Sequence, residues 1–209
     1  MKSSQPIFPS VDQADEQGLL AYGGELSVHF LENAYRHGIF PWPQVGLPIL
    51  WFAPPQRGIL DFQDFHLPSR FLREIKNKNW EFKIDHDFQS VICECAKQKR
   101  KRQKGTWILP EMILAYIDFH EAGFAHSFEV YEKGRLIGGL YGVWLGDYFA
   151  GESMFHLETG VSKFALMKTV EYLKKKGLTW MDTQMVTPLL KSFGGKEIPR
   201  KEFMERLNK

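Results

Sequence analysis

The sequence predicts an α+β protein with a mostly antiparallel sheet. Three observations support this: three consecutive strand signals with tight turns between residues 126 and 150, a helix followed by a strand directly after them, and a Gly-, Pro- and aromatic-rich segment of different character at the start. The chain has 209 residues, 44% of them hydrophobic and 14% aromatic, which suffices for one or two globular domains with a core and excludes a disordered polypeptide.

The first segment contains one clear helix signal, over residues 27–38. Ser27 can cap it, Phe30, Leu31, Ala34 and Tyr35 share one helical face, and Gly38 supplies the stop. The stretch that follows carries Pro41, Pro43, Pro48, Pro54 and Pro55, so irregular structure is expected up to Arg57. From Ile59 onward helices and strands alternate. Helices are predicted over residues 88–97, over 110–122 with Pro110 in the first turn and Gly123 after the end, and over 162–176 with Gly177 closing. Strands are predicted over 126–131, 136–144 and 148–150, joined by turns at Lys133-Gly134 and Gly146-Asp147, and over 178–181. Strand, strand, strand, helix, strand is the order of an N-acyltransferase fold of the acetyltransferase type, an analogy that carries no function by itself.

Composition narrows the setting. Cys93 and Cys95 are the only cysteines; they stand too close for an easy disulfide and lack a second pair for a zinc knuckle, so a reducing, cytoplasmic interior is expected. No apolar run resembles a signal peptide or approaches the roughly 20 residues of a membrane span, so no membrane association is expected. Net charge is only +2, from 27 basic and 25 acidic side chains, but Lys97, Lys99, Arg100, Lys101, Arg102 and Lys104 form a local positive block. Such a block attracts phosphates, and the neighbouring Trp107 adds a face on which a base can stack; a solvated surface is the alternative reading.

Motif chemistry points away from metal and triad enzymes. There is no GxSxG elbow, no HExxH, no phosphate-binding glycine loop, and the seven histidines stand singly, so His126 and His156 are read as ordinary hydrogen-bonded side chains and no metal or cofactor is expected. Two polar stretches differ from this background. Gly151-Glu152-Ser153-Met154-Phe155 is expected just after the third strand, and Met181-Asp182-Thr183-Gln184 at the end of the fourth. Glu152, Asp182 and Gln184 would there present carboxylates and an amide to a cationic, hydrogen-bonding substrate; a capping Glu152 and a turn-forming Asp182 are the plain structural alternatives.

An ordered set of motifs spans nearly the whole chain: Gly23-Gly24-Glu25-Leu26-Ser27, Gly38-Ile39-Phe40-Pro41-Trp42, Trp51 with Pro54 and Arg57, Gly105-Thr106-Trp107-Ile108, Gly138-Gly139-Leu140-Tyr141-Gly142, Gly151 through Phe155, and Asp182-Thr183-Gln184. Together they resemble the bacterial leucyl/phenylalanyl-tRNA-protein transferase family. Phe52, His156 and Met181 depart from its usual Trp, Ser and Ile. The resemblance implies a small N-terminal domain, residues 1–58, packed on an acetyltransferase-like domain of the GNAT type, residues 59–209. It implies no acetyl-CoA, and a monomer is expected. Aminoacyl-tRNA would be the donor, carrying Leu or Phe with Met as a third candidate, and a protein beginning with Arg or Lys the acceptor, which the transfer marks for degradation. Trp42 and Trp107 match positions that hold the terminal adenosine, while Leu140, Met154 and Leu166 match positions lining the donor side-chain pocket. Glu152, Asp182 and Gln184 match the polar residues around the reacting groups.

The donor ester is already activated, so the task reduces to placing an uncharged α-amine against the ester carbonyl. Gln184, held by Asp182, is expected to orient and help deprotonate that amine, with Glu152 fixing the acceptor's cationic end. On this view Asp182→Ala leaves folding near wild type while transfer falls. A CoA-dependent N-acetyltransferase and a non-catalytic RNA-binding module are the rival readings. The first is disfavoured by residues 158–162, which carry Glu158 and a single Gly at the helix entry, and the second by the two acid-bearing stretches.

Overall fold

A computed structural model describes residues 7–98 and 106–208. The N-terminal part forms β1 (Leu19–Tyr22), α1 (Val28–Arg36), β2 (Phe40–Pro41) and β3 (Leu50–Phe52), with the strands paired antiparallel in the order β1-β3-β2. Ser27 caps α1 by accepting from the Phe30 N–H at 3.4 Å, and the helix buries Leu31, Ala34 and Tyr35. Gly38 follows at φ +72°, and a Cβ there would meet Phe203 and Met204 at 2.9 Å, so only glycine fits this turn. The irregular stretch expected up to Arg57 is in fact interrupted by β2 and β3. Trp51 explains them: its indole N–H donates to the Gly23 carbonyl at 2.9 Å and its ring packs at 4.8 Å from Phe8. Buried aromatic packing overrides the prolines, which confine these strands to two and three residues.

The chain continues through β4 (Gln56–Asp61), α2 (Ser69–Ile75), β5 (Trp80–Ile84), α3 (Phe88–Lys97), α4 (Pro110–Glu121), β6 (Ala125–Glu132), β7 (Arg135–Leu145), β8 (Tyr148–His156), α5 (Val161–Lys175), β9 (Trp180–Gln184), α6 (Pro188–Lys191), β10 (Lys196–Pro199) and α7 (Arg200–Leu207). Among the described residues these strands form one sheet in the order β10-β4-β9-β8-β7-β6-β5, antiparallel at every neighbour except β8 and β9. Residue 58, where a domain boundary is expected, lies inside β4, whose partners are β9 and β10. One cluster of buried side chains joins α1, α3 and α4 to Tyr141, Val143 and Ala150. A second joins α5 to Leu60, Phe128, Leu140 and Phe149, so alternate residues of β7 and β8 face opposite layers.

The meander β6-β7-β8 forms as expected, with Lys133 and Gly134 both at positive φ in the first turn. Two strands outrun their expected ends. β8 continues to His156, and β9 begins at Trp180 and continues to Gln184, so Glu152 and Asp182 lie within strands rather than beyond them. Gly, Glu, Ser and Asp are weak strand formers, but the long β7 pairs with β8 as far as Gly138–His156, and β4 pairs with β9 as far as Gly58–Gln184.

Candidate active site

Strands β8 and β9 pair at Ala150–Asp182 and their ladder extends no further toward Glu152 and Gln184. Each strand is also bulged near that point. Tyr141 pairs with Ser153 and Gly142 with Gly151, which leaves Glu152 as the extra residue of β8; Gly58 pairs with Gln184 and Ile59 with Asp182, which leaves Thr183 as the extra residue of β9. A bulge breaks the ladder and redirects side chains. The gap opens into a cavity of about 560 Å³, within the range of small-molecule sites. Trp42, Trp107, Leu140, Met154 and Leu166, the five positions expected to bind substrate, all line it, and so do Glu152 and Gln184.

Asp182 is placed differently from the expectation. It is fully buried and does not line the cavity. Its Oδ1 accepts from Arg57 Nε at 3.0 Å and from the Gln184 backbone N–H at 2.7 Å; its Oδ2 accepts from Arg57 Nη2 at 2.6 Å and from the Tyr148 hydroxyl at 2.5 Å. Asp182 therefore orders the backbone of Gln184 and not its side chain, which corrects the role expected for it. The backbone needs holding, because Gln184 sits at φ +58°, in the left-handed region that non-glycine residues rarely occupy. Arg57 is equally enclosed: its guanidinium carbon lies 4.5 Å from the Phe40 ring centroid and 4.6 Å from that of Phe203, and Nη1 donates to the Gly38 carbonyl at 3.1 Å. Burial alone would lower the Arg57 pKa, but the Asp182 carboxylate outweighs it and leaves it raised. Burial, and then Asp182, push the Tyr148 hydroxyl well above its ordinary value.

Gln184 turns its side-chain amide toward the other bulge, where Nε2 donates to Glu152 Oε1 at 2.7 Å. The second carboxylate oxygen, Oε2, is shielded from solvent and makes no hydrogen bond. Burial pushes the Glu152 carboxyl up to about 7; a nearby Tyr35 hydroxyl opposes that shift, Asp182 adds to it, and Gln184 and Arg57 oppose it. The Tyr35 and Tyr116 hydroxyls are hydrogen-bonded to each other in the core. Burial first, and then the Glu152 charge, raise both well above the ordinary tyrosine value.

Arg57, Tyr35, Tyr116 and Tyr148 are the buried polar residues around Asp182 and Glu152 to which sequence reasoning gave no role. Arg57 stands in a motif already noted, and a polar tip on the buried face of α1 was the available signal for Tyr35. Trp42 and Trp107 pack on one another, with ring centroids 5.7 Å apart and planes at 30°, and Trp107 is 7% exposed. Of the basic block, Lys97 ends α3 and pairs with Glu94 at 2.7 Å; Lys99, Arg100, Lys101, Arg102 and Lys104 lie outside the described residues. His126 is an ordinary partner of Asp85, at 2.8 Å. No helix among the described residues is long and apolar enough to cross a membrane.

A sheet split between β8 and β9, with an apolar cavity at the split and a carboxylate–amide pair on its wall, is a fold of the GNAT-like class. The fold is similar to that of FemX, with a TM-score of 0.53 over 86% of this chain and 71% of that one at 10% identity. Residues 59–208 match the leucyl/phenylalanyl-tRNA protein transferase family and residues 24–55 match its N-terminal domain. The leucyl/phenylalanyl-tRNA–protein transferase of Maridesulfovibrio salexigens is 46% identical over 97% of this chain and 85% of its own length, and that of Lawsonia intracellularis 45% identical over 98% and 90%. The chain belongs to the leucyl/phenylalanyl-tRNA-protein transferase family and is an aminoacyltransferase.

Proposed function

We propose that the protein transfers Leu or Phe, with Met as a further donor, from aminoacyl-tRNA to the N-terminal Arg or Lys of acceptor proteins, acting as a cytoplasmic monomer whose products are marked for degradation. The observation that carries this reading is the composition of one cavity: apolar Leu140, Met154 and Leu166 on one part of its wall, Trp42 and Trp107 on another, and the Glu152–Gln184 pair between the separated strands. A Leu or Phe side chain needs an apolar pocket, an adenosine needs an aromatic face, and a cationic acceptor needs a carboxylate. Glu152 and Gln184 touch the substrates, while Asp182 and Arg57 act as positioning residues that hold Gln184 in its strained conformation. The basic block from Lys97 to Lys104 grips the tRNA backbone without reading sequence.

The entry to α5 supports an aminoacyl-tRNA donor over a CoA thioester. Gly160 caps that helix at φ +89° with the Phe71 ring 3.2 Å and the Trp80 ring 3.8 Å from where a Cβ would stand, and Glu158 precedes it, a poor seat for a pyrophosphate. The test is incubation with radiolabelled Leu-tRNA or Phe-tRNA and an Arg-initiated peptide. Label is expected in the peptide; acetylation of that peptide from acetyl-CoA, with charged tRNA ignored, would overturn the reading.

A further inference from the structure

An N-terminal α-ammonium, with an ordinary pKa near 8, is mostly protonated at neutral pH and has no lone pair to attack an ester. A proton must leave before the bond forms. Among the described residues lining the cavity, Glu152 is the one carboxylate. Its oxygens are unequal, since Oε1 is engaged by Gln184 and Oε2 makes no hydrogen bond, and the bulge at this position sets the residue apart from the regular ladder. Behind it stands a pair of buried hydroxyls in which either tyrosine can be the donor, so Tyr116 can donate to Tyr35 while Tyr35 turns its single proton toward Glu152.

We propose that Glu152 takes a proton from the acceptor's α-ammonium, and that Tyr35, backed by Tyr116, is the positioning residue beside this carboxylate. The proposal rests on the transfer reading above. Proton transfer leaves a neutral amine and a protonated Glu152. The amine nitrogen then bonds to the ester carbonyl carbon, the carbon–oxygen bond to the ribose breaks, the second amine proton goes to the departing ribose oxygen, and Glu152 returns its proton to solvent. Atoms and charge balance without a further reactant.

The groups facing Glu152 set the sign of the pH dependence. Tyr35 on α1, Gln184 on β9 and Arg57 on β4 favour the ionised carboxylate, Asp182 on β9 opposes it, and Tyr116 on α4 and Tyr148 on β8 both feel its charge. With burial raising Glu152 to about 7, wild-type transfer at saturating acceptor should rise with pH through a midpoint near that value.

The experiment is single-turnover transfer from Leu-tRNA to a saturating Arg-initiated peptide between pH 5.5 and 9. It compares the full-length wild type with Glu152→Gln and Tyr35→Phe, with a melting curve for each. In Glu152→Gln the peptide must lose its proton unaided, so the midpoint should move up toward the amine's own value near 8 and the deficit should narrow as pH rises above 7. In Tyr35→Phe, which keeps Glu152 but removes the donor that favours its ionised form, the midpoint should also move upward. A folded Glu152→Gln whose deficit is the same at every pH would overturn the base assignment while leaving the transfer reading intact. An unmoved midpoint in folded Tyr35→Phe would overturn the part given to Tyr35, and a wild type that transfers no label at any pH would overturn the transfer reading and this proposal together.

Discussion

Replacing Asp182 with Ala tests how the site is held. The substitution removes the carboxylate that accepts two bonds from Arg57, one from Tyr148 and one from the Gln184 backbone, in surroundings where the Arg57 and Asp182 side chains are 2% and 0% exposed. Arg57 cannot lose its charge, and its remaining partners are the Gly38 carbonyl and two aromatic faces. Breaking such a buried pair from one side costs about 3–5 kcal/mol, chiefly for the stranded charge. At about 2–4 °C per kcal/mol for a chain of this size, the melting temperature should fall by roughly 6–20 °C. This differs from the sequence expectation that Asp182→Ala folds like wild type. Thermal melts followed by circular dichroism, together with urea midpoints, measure the loss. The double variant Arg57→Met/Asp182→Leu, which leaves no lone charge, should recover much of the stability while transfer stays low, because Gln184 has still lost the acceptor that holds its backbone. An Asp182→Ala variant melting within about 2 °C of wild type would refute the reasoning, as would a double variant less stable than either single one.

Leu166→Trp should narrow the cavity and lower transfer from Phe-tRNA more than from Leu-tRNA, by about tenfold in the ratio of kcat/KM values, and an unchanged ratio would remove Leu166 from the donor pocket. Replacing Lys99, Arg100, Lys101 and Arg102 with Ala should weaken binding to all charged tRNAs alike and flatten the salt dependence by roughly 0.7 to 0.9 for each phosphate that is no longer neutralised. The measurement is the dissociation constant across a salt series, and an unchanged slope would assign the block to solvated surface.

What local chemistry determines was legible in the sequence. Ser27 and the apolar face behind it predict α1, and the helix predicted over residues 88–97 forms with those bounds, capped by Asp87 accepting from Ser90 at 3.0 Å. The lining residues of the cavity were legible too, through motif resemblance, and Glu152, Asp182 and Gln184 stood out as polar residues where strands were expected to end. The assignment of roles among those three was not, because it depends on bulges that exist only once distant strands pair. Glu152 is the extra residue of β8 only in relation to Tyr141 and Gly142, and Thr183 that of β9 only in relation to Gly58 and Ile59. Gly58 itself shows the constraint, since a Cβ there would stand 2.7 Å from the Met185 backbone, so the sharp exit from β9 requires a glycine on its neighbour.

The longest-range feature was the least visible. Arg57 reaches Asp182 across 125 residues, and Tyr35 reaches Tyr116 across 81; neither pair has a local signature, because each partner read alone is an ordinary polar residue in an apolar stretch. Arg57 also stands one residue before residue 58, where the resemblance implies that two domains part and where the Pro-rich opening segment gives way to alternating helices and strands. The structure puts there the guanidinium that binds the Gly38 carbonyl at the end of α1 with one nitrogen and Asp182 of β9 with two others, between the rings of Phe40 and Phe203. A shift in composition marks where the chain changes its packing partner, and a buried cation at such a point can join the parts on either side of the shift. Because the same Asp182 carboxylate then holds the Gln184 backbone, the packing between the N-terminal part and the large sheet is continuous with the wall of the cavity, so a change at Gly38 or Phe40 should reach Gln184 through two hydrogen-bonded residues.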